Sequence, residues 1–443
     1  MKELNQLLSK MLRTLSLKRF PNRNFLIVLS LVASNILRAQ ETVTLESCYD
    51  AVVKNYPLVA QKGLILSGNA LSIKNLNANY LPQIEIGGQA TWQSEVTQLE
   101  LPANPFFKAP TPLSQDQYKL TLDIRENIYD GGFIRHSKAI QNAAAATEIQ
   151  KLEVELYKLR ERVNQLYFSV LQANENISLV KLLKADIEPR LKKVKAGIEH
   201  GVAIPMNQRA LEAELIKADQ KISELMYIKK AAILMLNELL KTSFNEQTKF
   251  EKPISYLSAI VQNSRPELKL FAAQKSLLAE QADLTRVRNM PRLSAFATGG
   301  YGKPGLNFLK NEFRPYAILG LSAKWNVSDK ISGREHRDRE LLGIQDKTID
   351  LQKEIFELNS NLQVTQCQSE IERYRELMQS DKMIIELREK NKVTLAAQLD
   401  SGIISANDYL IEVNAENQAR QNLILHELQM KMNEVNLKTI LGN

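Results

Sequence analysis

The sequence is poor in residues that compact globular enzymes use. Aromatic residues make up 6% of its 443 residues, and histidine occurs 4 times. The two cysteines, Cys48 and Cys367, stand in no metal-binding or redox spacing. All 14 prolines lie at or before Pro315, so the last 128 residues contain none. This composition argues against two or three ordinary globular domains and favours long, uninterrupted helices.

No stretch of the sequence has a catalytic or cofactor-binding pattern. The histidines show no paired ligands at helical spacing, and we expect them to face solvent on helices or turns; they are His136, His200, His336 and His426. The glycine-rich stretch 299–302 lies in a strand pattern rather than before a helix, which argues against a phosphate loop. We therefore predict no enzyme activity, no cofactor and no metal site.

Residues 1–39 have the pattern of a signal peptide. Basic residues precede an apolar run from Phe25 to Leu37, and Leu37-Arg38-Ala39 forms an imperfect cleavage site. The basic stretch is long, which leaves Met11 as an alternative start to Met1. A membrane anchor is the alternative interpretation, but the run is short for a spanning helix. We expect export, and no later stretch approaches the length of a transmembrane helix.

The positive charge does not indicate nucleic-acid binding. The formal net charge is +8, but residues 1–39 hold seven basic side chains and one acidic side chain. Removal of this segment leaves about +2, which gives no basic surface for nucleic acid. Cys48 follows the apolar run by eleven residues, with Glu41 and Glu46 between them. We expect a buried cysteine there rather than a lipidated one.

Four segments alternate between apolar and polar residues. In the first, Ile84, Ile86 and Trp92 alternate with polar neighbours, and the pattern recurs further along the chain. We predict strands at residues 83–94, 116–128, 292–302 and 315–327. Strands of about ten residues with one polar face suit a sheet between lipid and water, although a half-solvated sheet in a soluble protein has the same period.

The chain contains the same plan twice. Pro57 and Pro266 are 209 positions apart, and so are Pro82 and Pro291. We therefore predict a first repeat at 40–242, a linker at 243–262 and a second repeat at 263–443. Apolar residues spaced by four and three predict coiled-coil helices at 135–198, 206–240, 334–400 and 406–440, with a kink at Pro189.

Four strands are too few for a closed membrane barrel. A sheet edge is prohibitive in lipid, and the smallest membrane barrels have about eight strands. The strands can form a closed barrel only if several copies of the chain contribute strands to it. The rival hypothesis is an exported coiled-coil scaffold or tether at the cell envelope, which explains the helices but gives the strands no purpose.

In these features the sequence resembles the TolC-type outer-membrane efflux proteins over nearly all residues after 40. The resemblance rests on the duplicated plan, Asn55-Tyr56-Pro57, the Asp130-Gly131-Gly132 segment and the reversals at Gly201 and Gly402. It implies a homotrimer with a transmembrane β-barrel and a long α-barrel across the periplasm. It also implies a passive outer-membrane exit duct that works with a periplasmic adaptor protein and an inner-membrane transporter.

The resemblance further implies a gate at the two reversals. Gly201 and Gly402 would lie at the periplasmic tip, where the family usually has an aspartate six residues beyond each glycine. Asp408 fits this pattern after Gly402, whereas Asn207 occupies the place after Gly201. Ile404 and Ile411 stand where some members have charged residues, so the closing network differs here. The candidate tip residues are Gly201, Asn207, Gly402 and Asp408.

Overall fold

The computed structural model describes residues 42–98, 112–254 and 263–442. The predicted signal peptide, a proline-rich stretch of sequence around Pro105 and part of the predicted linker lie outside these residues. The elements in chain order are α1 Leu45–Asn55, α2 Leu58–Ala78, β1 Gln83–Trp92, β2 Asp116–Tyr129, α3 Phe133–Glu199, α4 Pro205–Leu240, α5 Pro266–Val287, β3 Arg292–Lys303, β4 Arg314–Lys324, α6 Ser328–Ile331, α7 Arg334–Asp400 and α8 Ala406–Leu441.

Two antiparallel helical hairpins make up most of the fold. Helices α3 and α7 have 67 residues each, which corresponds to about 100 Å at 1.5 Å per residue. Helix α4 returns along α3, and α8 returns along α7 and also contacts α3. Near the strands, α2 packs on α3, and α5 lies against both α3 and α7. The long helices therefore run from the sheet to the reversals, whereas each shorter helix covers part of that distance.

A buried cluster lies at mid-length, where the shorter helices meet. The Tyr167 side chain of α3 is fully buried, and its hydroxyl lies within hydrogen-bonding distance of two carbonyl oxygens, of Val43 at 2.8 Å and Glu251 at 2.7 Å. The Asn55 amide donates to the carbonyl of Leu240 at 2.9 Å, which ties α1 to the end of α4. The backbone N–H of Ser264 donates to the carbonyl of Leu441 at 3.0 Å, which ties the segment before α5 to the end of α8.

The four strands form one antiparallel sheet in the order β1-β2-β3-β4. Together with the long antiparallel helices, this confirms the predicted fold class. Within the described ranges, no helix has both the length and the apolar character that crossing a membrane requires.

The bounds of several elements differ from the predicted ones. β4 ends at Lys324 rather than at residue 327, because the Asn326 carboxamide oxygen accepts from the Ser328 N–H at 3.1 Å and starts the short helix α6. β1 ends at Trp92 rather than at residue 94. Helix α3 begins two residues early, at Phe133, and continues through Pro189 to Glu199. The long helix is therefore not ended by its proline.

The Asp-Gly-Gly segment sets the start of α3. The Asp130 carboxylate accepts from the N–H groups of Gly132 at 2.9 Å and Ile134 at 2.6 Å. Gly132 has a φ of 90°, which non-glycine residues rarely adopt. A carboxylate on the free N–H groups at a helix start is favourable, so this segment turns the chain from β2 into the long helix.

Candidate functional site

One face of the sheet is apolar and exposed along its whole width. The register places Ile86 opposite Leu122, and Ala297 opposite Leu319, on this face. Exposed fractions reach 75% for Ile86 and 80% for Leu319. A contiguous apolar surface of this kind marks contact with lipid or another protein. The alternation that predicted the strands therefore holds across all four of them in three dimensions.

The opposite face is polar on β1 and β2, where it lines a groove. Its polar side chains are Gln83, Glu85, Gln89, Lys119, Thr121, Asp123, Arg125 and Thr298. Asp123 accepts hydrogen bonds from Thr121 at 2.9 Å and from Thr298 on the neighbouring strand. Charges of both signs lie on this face, as expected for a surface in contact with water.

On β3 and β4, two aromatic rings lie over glycines of the neighbouring strand on this same face. A Cβ added at Gly300 would lie 2.2 Å from the Tyr316 ring, and one at Gly320 would lie 2.7 Å from the Phe296 ring. Glycine leaves each ring room to lie flat on the sheet. Alternation alone could not show these contacts, because they depend on the β3–β4 register.

The sheet has two open edges in the chain as described. Within residues 42–98, 112–254 and 263–442, β1 pairs only with β2, and β4 pairs only with β3. An open edge exposes a row of unpaired N–H and C=O groups, which is costly in lipid. A sheet with an apolar face and two open edges is complete only when further strands extend it.

The two helical reversals have the same local geometry. Gly201 has a φ of +76° and Gly402 a φ of +73°. In each reversal the N–H of the next residue donates back to a carbonyl five residues earlier: Val202 to Gly197 at 2.8 Å, and Ile403 to Gln398 at 2.9 Å. This bond with a left-handed glycine is the usual helix-ending motif. The role of both glycines here is therefore conformational.

Asn207 lies at the contact between the two reversals. Its carboxamide is buried, and Oδ1 accepts from the backbone N–H of Ala406 at 2.9 Å. A side chain of the first hairpin thus satisfies a free N–H at the start of α8. The Ala406 and Leu211 side chains are fully buried beside this bond, in a cluster to which both hairpins contribute.

Asp408 is exposed and forms a capping box with Ser405. The Ser405 N–H donates to the Asp408 carboxylate at 3.0 Å, and the Asp408 N–H donates to the Ser405 hydroxyl at 3.3 Å. The hydrogen bonds from the Ser405 hydroxyl and N–H hold the pKa of Asp408 below its ordinary value. The structure therefore gives Asp408 a capping role at the start of α8, on the same reversal as Gly402.

Ion pairs join α3 to the second hairpin near the reversals. Asp400 at the end of α7 accepts from Arg190 and, at 2.8 Å, from Lys193. Burial alone would raise the pKa of Asp400, but the hydrogen bonds from Lys193 and Arg190 outweigh it and lower that pKa.

A second ion pair lies deeper in the contact between the hairpins. The Lys392 ammonium lies 2.8 Å from Asp186 of α3 and 2.6 Å from Glu416 of α8, and Arg420 lies 2.7 Å from Glu416. The heptad positions alone could not show which helices become neighbours.

Two of the four histidines are not the solvent-facing residues that the sequence predicted. The His426 ring lies 2.6 Å from Asp381 of α7, and its side chain is 19% exposed. His136 is half-buried between α3 and α5, beside Glu280. His336, by contrast, is exposed, and it has Glu340 at i+4 at 3.3 Å. The prediction failed because helix periodicity does not show which neighbouring helix covers a given face.

Part of the chain is similar in sequence to a known protein family. Residues 69–240 match the sequence profile of the outer membrane efflux protein family. No curated protein sequence matches the chain significantly.

Several solved structures share the fold at low sequence identity. CusC, solved in work on transmembrane channel formation, has a TM-score of 0.66 at 12% identity, with 90% of this chain and 91% of that chain covered. The outer membrane protein VceC from Vibrio cholerae has a TM-score of 0.62 at 11% identity, with coverages of 90% and 96%. The CmeC outer membrane channel of Campylobacter jejuni has a TM-score of 0.61 at 13% identity, with coverages of 90% and 85%.

The family match lies on the first repeat, and the fold likeness extends over both hairpins and the sheet. Part of the chain, residues 69–240, is thus similar to the outer membrane efflux protein family, and the chain shares its fold with outer membrane channels of known structure.

Proposed function

We propose that three copies of this chain form a passive exit duct across the outer membrane and the periplasm. The observation that carries the proposal is the sheet, which has an exposed apolar face, a polar opposite face and two open edges. Pairing β4 of one copy with β1 of the next removes every edge and yields twelve strands. The apolar face then contacts lipid, and the polar face lines water.

The helices continue this duct toward the reversals. Apolar side chains on the outer side of α7 are more than half exposed in the single chain, including Leu341, Ile355 and Leu362. A neighbouring copy would cover them, as coiled-coil seams require. The reversals at Gly201 and Gly402 would then lie at the periplasmic tip. There a periplasmic adaptor protein would dock and couple the duct to an inner-membrane transporter.

The gate would lie at this tip. Asp408 is exposed beside the reversal, so three copies would approach one another if the tip closes around a threefold axis. Confined like charges attract cations. Under this hypothesis Asp408→Asn weakens block of single-channel conductance by multivalent cations added on the tip side. If Asp408 serves only as a cap, block is unchanged and only stability falls.

The assembly is tested in outer-membrane fractions and planar bilayers. A heat-sensitive trimer band and ion conductance by the purified protein support the duct. Purification as a soluble monomeric rod without conductance excludes it and favours the scaffold hypothesis. The orientation is tested separately with inserted epitopes. One in the β3–β4 connection at Asn311 should be labelled on intact cells, and one at Ala203 should not.

A further inference from the structure

A histidine and two carboxylates lie together between α3 and α5, just below the sheet. His136 belongs to the first turn of α3, and Glu280 and Asp283 lie one helical turn apart near the end of α5. One ligand atom from each side chain lies within 4.8 Å of the other two. Among the residues that the structure describes, this is the group of three side chains with the spacing for a shared metal ion.

The His136 ring is aimed at this cluster and has no partner there. Its Nδ1 atom is inaccessible to solvent and makes no hydrogen bond in the structure. The nearest carboxylate oxygen, Oε2 of Glu280, lies 3.9 Å away, which is too far for a hydrogen bond. A buried ring nitrogen without a partner carries a cost in free energy, which a bound ion would remove.

The competing interactions of the two carboxylates are weak. Asp283 has one ion pair, with Arg286 on its own helix at 3.4 Å, and both side chains are about half exposed. Such surface pairs contribute about 0–1 kcal/mol, so an ion could displace Arg286 easily. Among the residues that the structure describes, Glu280 forms no ion pair with a lysine or arginine, and its neighbour is the His136 ring at 3.9 Å.

From this geometry we propose a binding site for a divalent first-row transition ion, such as Zn²⁺, formed by Nδ1 of His136 and the carboxylates of Glu280 and Asp283. Zinc accepts imidazole nitrogen and carboxylate oxygen at about 2.0–2.2 Å, so its ligand atoms lie about 3.4 Å apart. The 3.9 Å separation of His136 and Glu280 needs only a small inward movement. Water completes the coordination, because three protein ligands leave a position open.

The ion would tie together the two helices that lead into the centre of the sheet. Helix α3 follows β2, α5 precedes β3, and β2 and β3 are neighbours. A metal bridge between α3 and α5 would therefore fix the junction between the helical and strand regions. Because binding favours the folded state, it would raise the temperature at which the assembly comes apart.

The test uses the full chain purified in detergent without a histidine tag, with Zn²⁺ alone as the probe. Equilibrium dialysis should show one saturable Zn²⁺ per chain. His136→Gln, Glu280→Gln and Asp283→Asn should each weaken binding at least tenfold. The matched control is His336→Gln, because His336 lies beside Glu340 on an exposed helix face and offers an adventitious surface site. Its binding should equal that of the unmodified chain.

A second measurement separates a lost ligand from a lost fold. Zn²⁺ should raise the dissociation temperature of the unmodified assembly, and a chelator should reverse the shift. Glu280→Gln should assemble normally but show no Zn²⁺-dependent shift. The proposal is overturned if no saturable binding is found, or if the assembled Glu280→Gln variant binds Zn²⁺ unchanged. Loss of binding in His336→Gln alone would also overturn it.

Discussion

Asn207 accepts a hydrogen bond from the backbone N–H of Ala406 at 2.9 Å, across 199 residues of sequence. The bond joins the reversal of one hairpin to the start of the returning helix of the other. The acceptor for the Ala406 N–H belongs to the other hairpin, so the bond exists only while the two hairpins stay together. The bond is therefore one of the contacts that hold the two reversals together.

Asn207→Ala should loosen the tip. The substitution leaves the buried Ala406 N–H without an acceptor, which costs about 1–3 kcal/mol. Hydrogen exchange of backbone amides in residues 403–410 should become faster, since α8 then starts without this contact. Asn407→Ala, at an exposed position one residue after Ala406, is the control and should leave exchange unchanged. Equal exchange in both variants would show that the bond does not hold the tip.

Lys392→Met should destabilise the contact between the hairpins more than the same substitution at an exposed lysine. Glu416 is 4% exposed and would keep Arg420 as a partner, whereas Asp186 would lose its contact with α7. Removing one member of a buried charge cluster costs about 3 kcal/mol. Lys390→Met, which breaks an exposed pair with Glu386 on the same helix, should cost less than 1 kcal/mol. Denaturation of the purified variants compares the two, and equal losses would contradict the buried role.

Acid should weaken the tip before it weakens the rest of the helical region. Asp400 and Asp408 have lowered pKa values in the folded chain. A lowered folded pKa means that the carboxylate stabilises the fold above the unfolded value of about 3.9 and that this contribution is lost as the pH falls through the folded pKa. Protection of the amides near residues 400–410 from hydrogen exchange, relative to the unfolded chain at the same pH, should therefore fall below about pH 4. Asp400→Asn should show this loss of protection already at neutral pH; protection in the unmodified chain that does not change with pH would contradict the prediction.

Gly300→Ala should disturb the sheet, and Gly299→Ala should not. A Cβ at Gly300 would lie 2.2 Å from the Tyr316 ring, whereas one at Gly299 meets nothing within 4 Å. Crowding of this kind costs about 1–3 kcal/mol. The measurement is the yield of assembled protein in membrane fractions. The double variant Gly300→Ala/Tyr316→Ala should recover part of the loss, since the clash is then absent.

Leu122→Arg should reduce assembly in the membrane far more than Gln89→Arg. Leu122 lies on the apolar face, where an arginine near the bilayer midplane costs about 2–4 kcal/mol. Gln89 lies on the polar face opposite Lys119, so an arginine there meets water and one like charge. That repulsion costs at most about 1 kcal/mol. Similar yields for both variants would contradict the assignment of one face to lipid and the other to water.

The sequence predicted the strands and long helices because each has a clear hydrophobic period. It could also place Gly201 and Gly402 at reversals, since a glycine followed by a helix start is a local signal. It could not predict the Asn207–Ala406 bond or the Lys392 cluster, which depend on how two hairpins pack. Asp408 lies between these two cases. Its capping box can be predicted from the local sequence, but its proposed role at a gate depends on neighbouring copies.

The four longest helices fall into two groups, according to whether they continue past the buried cluster at mid-length or end there. Helices α3 and α7 run without interruption from the sheet to the reversals, whereas α4 and α8 end at the mid-length cluster, near Leu240 and Leu441. If an adaptor moves α4 or α8 as proposed, the movement would be taken up at the mid-length cluster instead of passing into the strands. Under the proposed function, the reversals would then move while the sheet keeps its place in the membrane.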